Sequence, residues 1–303
     1  MYRPSTAEVR DARTMTALGD AGIMHLEGIY TYEDLRERGY SRAGIAKALA
    51  EGVIERVAHG LYAEVIADQN VVRGLKLGGK LGCLSGCKFY GIWTPPDSAL
   101  HVIFTSKGMT PAGAAVTGVC AHVRPRKWTK DPVWSLMECL DHVIRFHDGE
   151  TVLIVLESAV HKGMITIDDA VVLLADHPRK AAKLLKHLDA AESGSETRVR
   201  LVLRQRNLPV TPQVWITSED RVDLLVGESL IIECDSKEFH SSQESYEKDR
   251  ERDTRMRTMG FDVWRLSYRQ VWWEWESTQM DLDVEIRRRK YRKKPNRYPN
   301  VAY

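Results

Sequence analysis

Apolar and polar positions change period several times along this chain, and each change marks an element. From Tyr30 the stretch TYEDLRERGYSRAGIAKALAEGVIERVAHGLYA opens with Thr31 as a helix cap, a helix through Arg38 and Gly39 as the stop. Ser41 caps a second helix with Ile45, Ala48 and Leu49 at helical spacing, ended by Gly52. Val53–Arg56 and Gly60–Ala63 then read as short strands around a turn. Ahead of this, residues 1–26 predict little beyond a short helix around Ala7–Leu18. CLSGCKFYGIW predicts a packed helix, and Leu100–Phe104 and Val116–Val123 predict strands. Asp131-Pro132 has the chemistry of a helix start, followed by a core stripe of Trp134, Met137, Leu140 and Ile144. Helices over Thr151–His161, Thr166–Ala175 and Pro178–Ala190 follow, the second opened by a Thr166-x-x-Asp169 capping box.

Ala191-Glu192-Ser193-Gly194 marks a boundary, after which Ser195 is expected to cap a helix through about Arg206. Val199 and Leu203 lie three and seven residues beyond Glu196, which places that acid on the core-facing stripe. Gln213–Thr217 reads as a strand, Gln243–Met259 as a helix stopped by Gly260, Phe261–Ser267 as a strand, and Val271–Ile286 as a last helix. The expected class is α/β, α+β overall, in four parts. Residues 1–65 form a winged helix-turn-helix, because two helices on a short glycine turn precede a β-wing. Residues 66–190 form a mostly helical connecting region, 191–286 a second α/β domain, and 287–303 a basic tail.

The most informative stretch is RVDLLVGESLIIECDSKEFH, from Arg221 to His240. Two strands joined at Gly227-Glu228-Ser229 put Val226 opposite Leu230, and counting outward brings Asp223 opposite Glu233. Facing side chains in an antiparallel pair lie about 5 Å apart at Cβ, so two carboxylates are forced together. Asp235, and Lys237 beyond it, share that face by alternation. Such crowding destabilises a strand pair unless a cation lies between the acids, and a divalent metal meets that need.

Charge and cysteine content narrow the setting. The net charge of +2 hides eight basic residues between Arg287 and Arg297, without which 36 basic residues face 42 acidic ones. The tail, with Arg287, Arg288, Arg289 and Lys290 at its start, is therefore the segment suited to nucleic acid. The longest aliphatic run, Val152–Leu156, is far short of the ~20 residues of a membrane span, and MYRPSTAEVRDART has no apolar run of the secretory type. Five scattered cysteines suggest a reducing cytoplasm. Cys83, Cys87, Cys120 and His122 invite a zinc reading, but structural zinc sites show tighter pairs, and buried free cysteines are the expectation. Gly74 to Leu81 nearly spells a phosphate-binding loop, yet leucine stands where a hydroxyl must meet magnesium. Trp264, Trp272, Trp273 and Trp275 are expected to pack helix to sheet rather than to stack on bases.

The order Leu-Arg-x-x-Gly-x-Ser-Arg, then Gly-x-x-x-Arg-Val-x-x-Gly-x-Tyr, resembles the winged-helix domain of AbiEi-type antitoxins over about Tyr30 to Ala63. That likeness implies DNA contacts from Ser41, Arg42 and Lys47 on the recognition helix and from Arg56 and His59 on the wing. From about Gly194 to Tyr268, the helix with Glu196, strand with Asp223, strand with Glu233-x-Asp235, helix and strand resemble the PD-(D/E)XK nucleases. IIECDSKEFH, Asp249–Asp253 and GFDVWRL resemble the very-short-patch-repair-like branch of that superfamily. That resemblance implies a three-layer α/β/α restriction-endonuclease-like domain with Asp223 and Glu233 as metal ligands and Glu196 holding metal directly or through water. It also implies roles for His240, Arg252, Asp253 and Arg265. Asp235 stands where the wider superfamily keeps its lysine, and Ser236 replaces a glycine usual in the branch. A literal Asp235-x-Lys237 register, with Lys237 activating water, therefore stays open beside it.

Together these features predict a Mg²⁺- or Mn²⁺-dependent endonuclease acting on double-stranded DNA. Arg250, Arg252 and Arg255 on the helix after the acids would track the phosphate backbone. No membrane partner is expected, a homodimer is compatible, and the expected location is the cytoplasm of a bacterium, host- or phage-encoded. The rival reading is a non-catalytic DNA-binding repressor or antitoxin of the AbiEi type; an RNA substrate and a protein scaffold also stay open.

Overall fold

The computed structural model describes residues 27–106, 117–127, 129, 131–235 and 243–295, with backbone alone over 243–249. The helix expected around Ala7–Leu18, and Lys237 and His240, lie outside them. The chain is α+β and divides into two compact units. One comprises the described residues of Met1–Tyr90 and Ala99–Cys139, the other those of Gly91–Ser98 and Leu140–Tyr303.

The first unit begins with β1 (Ile29–Thr31), α1 (Tyr32–Glu37), α2 (Arg42–Ala50), β2 (Ile54–Ala58) and β3 (Leu61–Glu64). Thr31 caps α1 in a reciprocal box with Asp34, and the Ser41 hydroxyl accepts from the Gly44 amide at 2.9 Å to cap α2. Tyr30, Leu35, Ile45, Ala48 and Ile54 bury a small core beneath these helices. β1 was not expected; it pairs antiparallel with β3, which pairs with β2, so the wing is three-stranded. α3 (Gln69–Lys76), β4 (Lys80–Leu81), α4 (Cys83–Phe89), β5 (Leu100–Phe104) and β6 (Val119–Val123) complete the unit's regular elements. Gly74 lies inside α3, a helix and not a strand, so the near-phosphate loop lacks its scaffold.

α5 (Leu136–Phe146), within which the division falls, starts later than Asp131-Pro132 suggested. Ser135 and Glu138 cap its first turn reciprocally, through Oγ to Oε2 at 2.7 Å and the Ser135 amide to Oε2 at 3.2 Å. The second unit continues with α6 (Gly149–His161), α7 (Ile167–Ala175), α8 (Pro178–Leu184), α9 (Gly194–Gln205), β7 (Val210–Trp215), β8 (Arg221–Val226), β9 (Leu230–Asp235), α10 (Gln243–Met259), β10 (Asp262–Ser267), α11 (Tyr268–Trp272) and α12 (Trp275–Arg287). Several predicted bounds shift: β7 runs Val210–Trp215 instead of Gln213–Thr217, α6 starts at Gly149 instead of Thr151, and the first described residue of β6 is Val119. α8 gives way to a 3-10 turn at Leu185, α9 is capped by Ser193 rather than Ser195, and the last helix breaks into α11 and α12. The expected divisions at 65/66 and 190/191 are not where the compact units part: α6, α7 and α8 belong with the C-terminal sheet.

That sheet has the order β10-β9-β8-β7, antiparallel throughout except for the parallel β9–β10 pair. Leu224, Val226, Leu230, Ile232 and Leu266 bury one face against Val199 and Leu203 of α9, Val271 of α11 and Leu282 of α12. Val222, Leu225 and Ile231 meet Met256 of α10 on the other face. The result is the expected α/β/α sandwich. Pro212 is accommodated because β7 is an edge strand, where a missing amide donor costs no ladder bond. The start of the basic tail is also part of this fold: Tyr291 is buried in the sheet core, and its carbonyl accepts from the Glu228 amide at 2.7 Å. Among the described residues, no helix is long and apolar enough to cross a membrane.

Candidate active site

The hairpin register matches the count from its turn, with Val226 facing Leu230, Leu225 facing Ile231 and Leu224 facing Ile232. Gly227 closes the turn with φ +61°, a conformation that costs glycine little. The ladder then stops one residue short of the acids. β7 and β8 also skip a pair, passing from Pro212–Leu224 to Val214–Val222. Gln213, the residue skipped, has φ +56°. Both ladders therefore open at Asp223.

With its ladder bonds gone, Asp223 turns its carboxylate along the sheet. Its Oδ2 accepts from the Cys234 amide at 2.8 Å, and the Glu233 carboxyl is near enough for the two to perturb one another. Glu233 is buried, and its Oε1 accepts from Arg252 of α10 at 2.8 Å. From the opposite layer, Glu196 enters on the first turn of α9, also buried. Its Oε2 accepts from Gln213 Nε2 at 2.6 Å and from the Glu192 amide at 3.0 Å. The left-handed turn at Gln213 thus frees Asp223 from the ladder while its side chain fixes Glu196.

Electrostatics follow from two buried acids, Glu196 and Glu233, near a half-buried third, Asp223. Burial, and then the charge of Asp223, push the Glu196 carboxyl up to about 7. The same two causes raise Glu233 to about 7, against the opposing pull of Arg252 and Arg265. Burial raises Asp223 as well, although the Cys234 amide and Arg252 oppose it. Glu196 and Glu233 each feel the charge of Asp223, and all three carboxylates are hard oxygen donors of the kind Mg²⁺ or Mn²⁺ takes.

The other predicted residues fall into separate groups. Asp235 is exposed at the end of β9, with Arg265 Nη1 at 3.6 Å. Arg265 also donates to Asp253 at 2.9 Å. Of the arginines expected to track phosphate, Arg250 is exposed. Arg255 is paired with the buried Asp220 at 2.8 Å, and Arg252 is shared between Glu233 and Asp220. Burial acts against ionising Asp220, but hydrogen bonds from Arg255 and Thr217 hold its carboxyl below the usual range. Asp220 and Gln213 were not anticipated, because nothing in their local sequence distinguishes them from ordinary turn and strand residues. On the winged helix, Ser41, Arg42, Lys47, Arg56 and His59 are all exposed, with the Ser41 hydroxyl engaged as a cap. Arg287, Arg288, Arg289 and Lys290 are exposed; Arg288 pairs with Glu285 at 2.7 Å and Lys290 lies 3.4 Å from Asp262. Trp264, Trp272 and Trp275 pack on the sheet core as expected, whereas Trp273 is exposed.

Two family models match segments of the chain. Residues 196–286 match REase_MTES_1575, a restriction endonuclease-like domain. Residues 25–65 match a model described as transcriptional regulator, AbiEi antitoxin. No curated protein matches the chain. The chain thus carries an AbiEi-type N-terminal domain and a restriction endonuclease-like C-terminal domain, the architecture its motifs resembled.

Proposed function

We propose that this protein is a metal-dependent endonuclease that hydrolyses phosphodiester bonds in duplex DNA, with the winged helix engaging the substrate. One observation carries the reading: α9, β8 and β9 supply Glu196, Asp223 and Glu233, and burial with the charge of Asp223 raises the other two carboxyls to about 7. Glu196, Asp223 and Glu233 would hold the cation. Bound there, Mg²⁺ or Mn²⁺ supplies a more acidic water and positive charge opposite the charge that develops on the phosphate.

The protein's own residues do the rest. Gln213 and the Glu192 amide orient Glu196, and the Cys234 amide orients Asp223. Arg252 sits on Glu233 and balances part of the negative charge. Arg250 and Arg257, exposed on α10, would meet backbone phosphates. Lys237 and His240 are retained as proton carriers in this proposal, on the strength of the sequence resemblance alone.

The test is incubation of supercoiled plasmid with purified protein in Mg²⁺, Mn²⁺ or chelator. Nicking with metal, absent in chelator and in Asp223→Ala, is the expected result. No nicking in either metal, or equal nicking by Asp223→Ala, overturns the proposal.

The AbiEi match favours a second reading, a DNA-binding regulator whose C-terminal domain does not cut. Both readings predict duplex binding through the winged helix. Arg42→Ala and Arg56→Ala should each weaken binding about equally on all sequences. Each should also flatten the slope of log K against log salt by roughly one phosphate contact. A salt titration by fluorescence anisotropy measures this, and unchanged slopes would remove those side chains from the interface. Metal-dependent nicking then separates the two readings.

A further inference from the structure

Away from the carboxylates, the first unit gathers a different set of ligand chemistries. Cys83 is the first residue of α4 and is fully buried. His101, in the middle of β5, is buried too, and His122 follows on β6. β5 and β6 run parallel, with His101 beside Cys120 and Ile103 beside His122. The ligand atoms of Cys83, His101 and His122 all lie within 4.8 Å of one another.

The pairwise geometry is informative. His101 Nδ1 and His122 Nε2 are 3.3 Å apart, and Cys120 Sγ is 3.4 Å from the same His122 nitrogen. Zinc–nitrogen bonds of ~2.0–2.1 Å and zinc–sulfur bonds of ~2.3 Å at tetrahedral angles require edges of roughly 3.3–3.4 Å for N···N and 3.5–3.6 Å for N···S. The two imidazole nitrogens are already at that spacing. The backbone around them is tied as well: the His101 amide donates to Ser85 Oγ at 2.8 Å, and the Gly82 amide donates to the His101 carbonyl at 3.4 Å. These bonds fix the start of α4, where Cys83 sits, against β5. Cys83 takes φ +53°, a conformation that costs a side-chain-bearing residue on the order of 1–2 kcal/mol.

We infer that Cys83, His101 and His122 bind a zinc ion that ties the start of α4 to the β5–β6 pair, with Cys83 as its one thiolate and water completing the coordination. A thiolate and two imidazoles suit zinc, whereas the carboxylate set of the second unit suits Mg²⁺ or Mn²⁺. The cysteine spacing misled the sequence reading because Cys87, four residues on, is outside the cluster, while His101 comes from a strand with no metal signature. The inference is independent of the nuclease proposal.

Cobalt distinguishes the two sites, because a thiolate ligand gives a near-ultraviolet charge-transfer band that carboxylates do not. Full-length protein purified without chelator should contain about one equivalent of zinc by mass spectrometry of its metals. After chelator stripping, Co²⁺ should produce the thiolate band and tetrahedral visible bands, and Zn²⁺ should bleach them. Cys83→Ser should lose the charge-transfer band, and His122→Ala should weaken Co²⁺ binding at least tenfold. Cys234→Ser should keep the band, since Cys234 is the thiol beside the carboxylates. A folded native protein with no thiolate band on Co²⁺ addition overturns the inference, whatever the variants' folding. So does a band that survives Cys83→Ser or vanishes in Cys234→Ser.

Discussion

Glu233→Gln is expected to abolish metal-dependent nicking and, at pH 8, to make the metal-free protein more stable. Loss of one charged ligand removes several kcal/mol of transition-state stabilisation, on the order of 10²–10⁴ in rate. The stability gain has the opposite origin. Glu233 ionises near 4.5 when free and about 7 in the fold, so its neutral form is the one the fold prefers. That preference favours folding fully below pH 4.5 and is lost as pH rises through 7. At pH 8 the buried charge costs about 1–3 kcal/mol, less than its full shift implies because Glu196 and Asp223 titrate with it. Glutamine keeps the shape without the charge. Thermal melts in chelator at pH 5 and pH 8 should therefore show the variant gaining only at the higher pH. Mn²⁺ should raise the melting temperature of the native protein more at pH 8 than at pH 5, and that of the variant far less. A variant equally destabilised at both pH values, or one that still nicks, would contradict the account.

The hairpin shows how much of this site was legible and where legibility stopped. The glycine turn and the apolar residues on both faces specify the register, because a one-residue slip would expose every core side chain of the strand. Counting from Gly227 therefore reached Leu224–Ile232 correctly. It overshot at Asp223, where the ladder opens around a left-handed Gln213 on the neighbouring strand. No period within β8 carries that information. Helix starts failed for a similar reason. Ser195 has the right chemistry for a cap, but its hydroxyl accepts from Trp272 Nε1 at 2.9 Å, and Ser193 caps α9 instead. Gly194 reads as a linker residue yet lies within the helix, and it is glycine there because a Cβ would meet the Trp93 ring at 1.9 Å. Both decisions are made by aromatic side chains distant in sequence. Helical spacing likewise identified α6, α7 and α8 but could not say which sheet they join. An apolar stripe encodes that a helix packs, not its partner.

One buried charge pair joins α6 to α9, and breaking it should cost more stability than any other change considered. Glu157 and Arg200 are both fully enclosed, with Arg200 Nη2 at 2.6 Å from each carboxylate oxygen. Thr197 Oγ1 donates to Glu157 at 2.6 Å, and the Asp189 amide donates at 3.0 Å. Arg200 reaches the His187 carbonyl at 2.7 Å, while its Nε is buried without a hydrogen-bond partner. Burial raises the Glu157 carboxyl even beside a guanidinium, which shows how strongly desolvation weighs here. Glu157→Ala leaves that guanidinium buried with only the half-exposed Asp189, 3.9 Å from Nη1, to offset it, so unfolding free energy should fall by about 3–5 kcal/mol. Glu157→Gln keeps much of the shape but not the charge, and should be nearly as damaging. Glu157→Leu with Arg200→Met removes both charges and should recover most of the loss, since apolar replacement of a buried pair is often neutral. Chemical denaturation of the three variants measures the order. Arg200 lies one helical turn beyond Glu196 on α9, so Glu157→Ala should also lower nicking at temperatures where the variant remains folded. The double variant should restore it. If Glu157→Gln were as stable as the native protein, the pair would be held by hydrogen bonds rather than charge, and α9 would owe its seat to the apolar stripe alone.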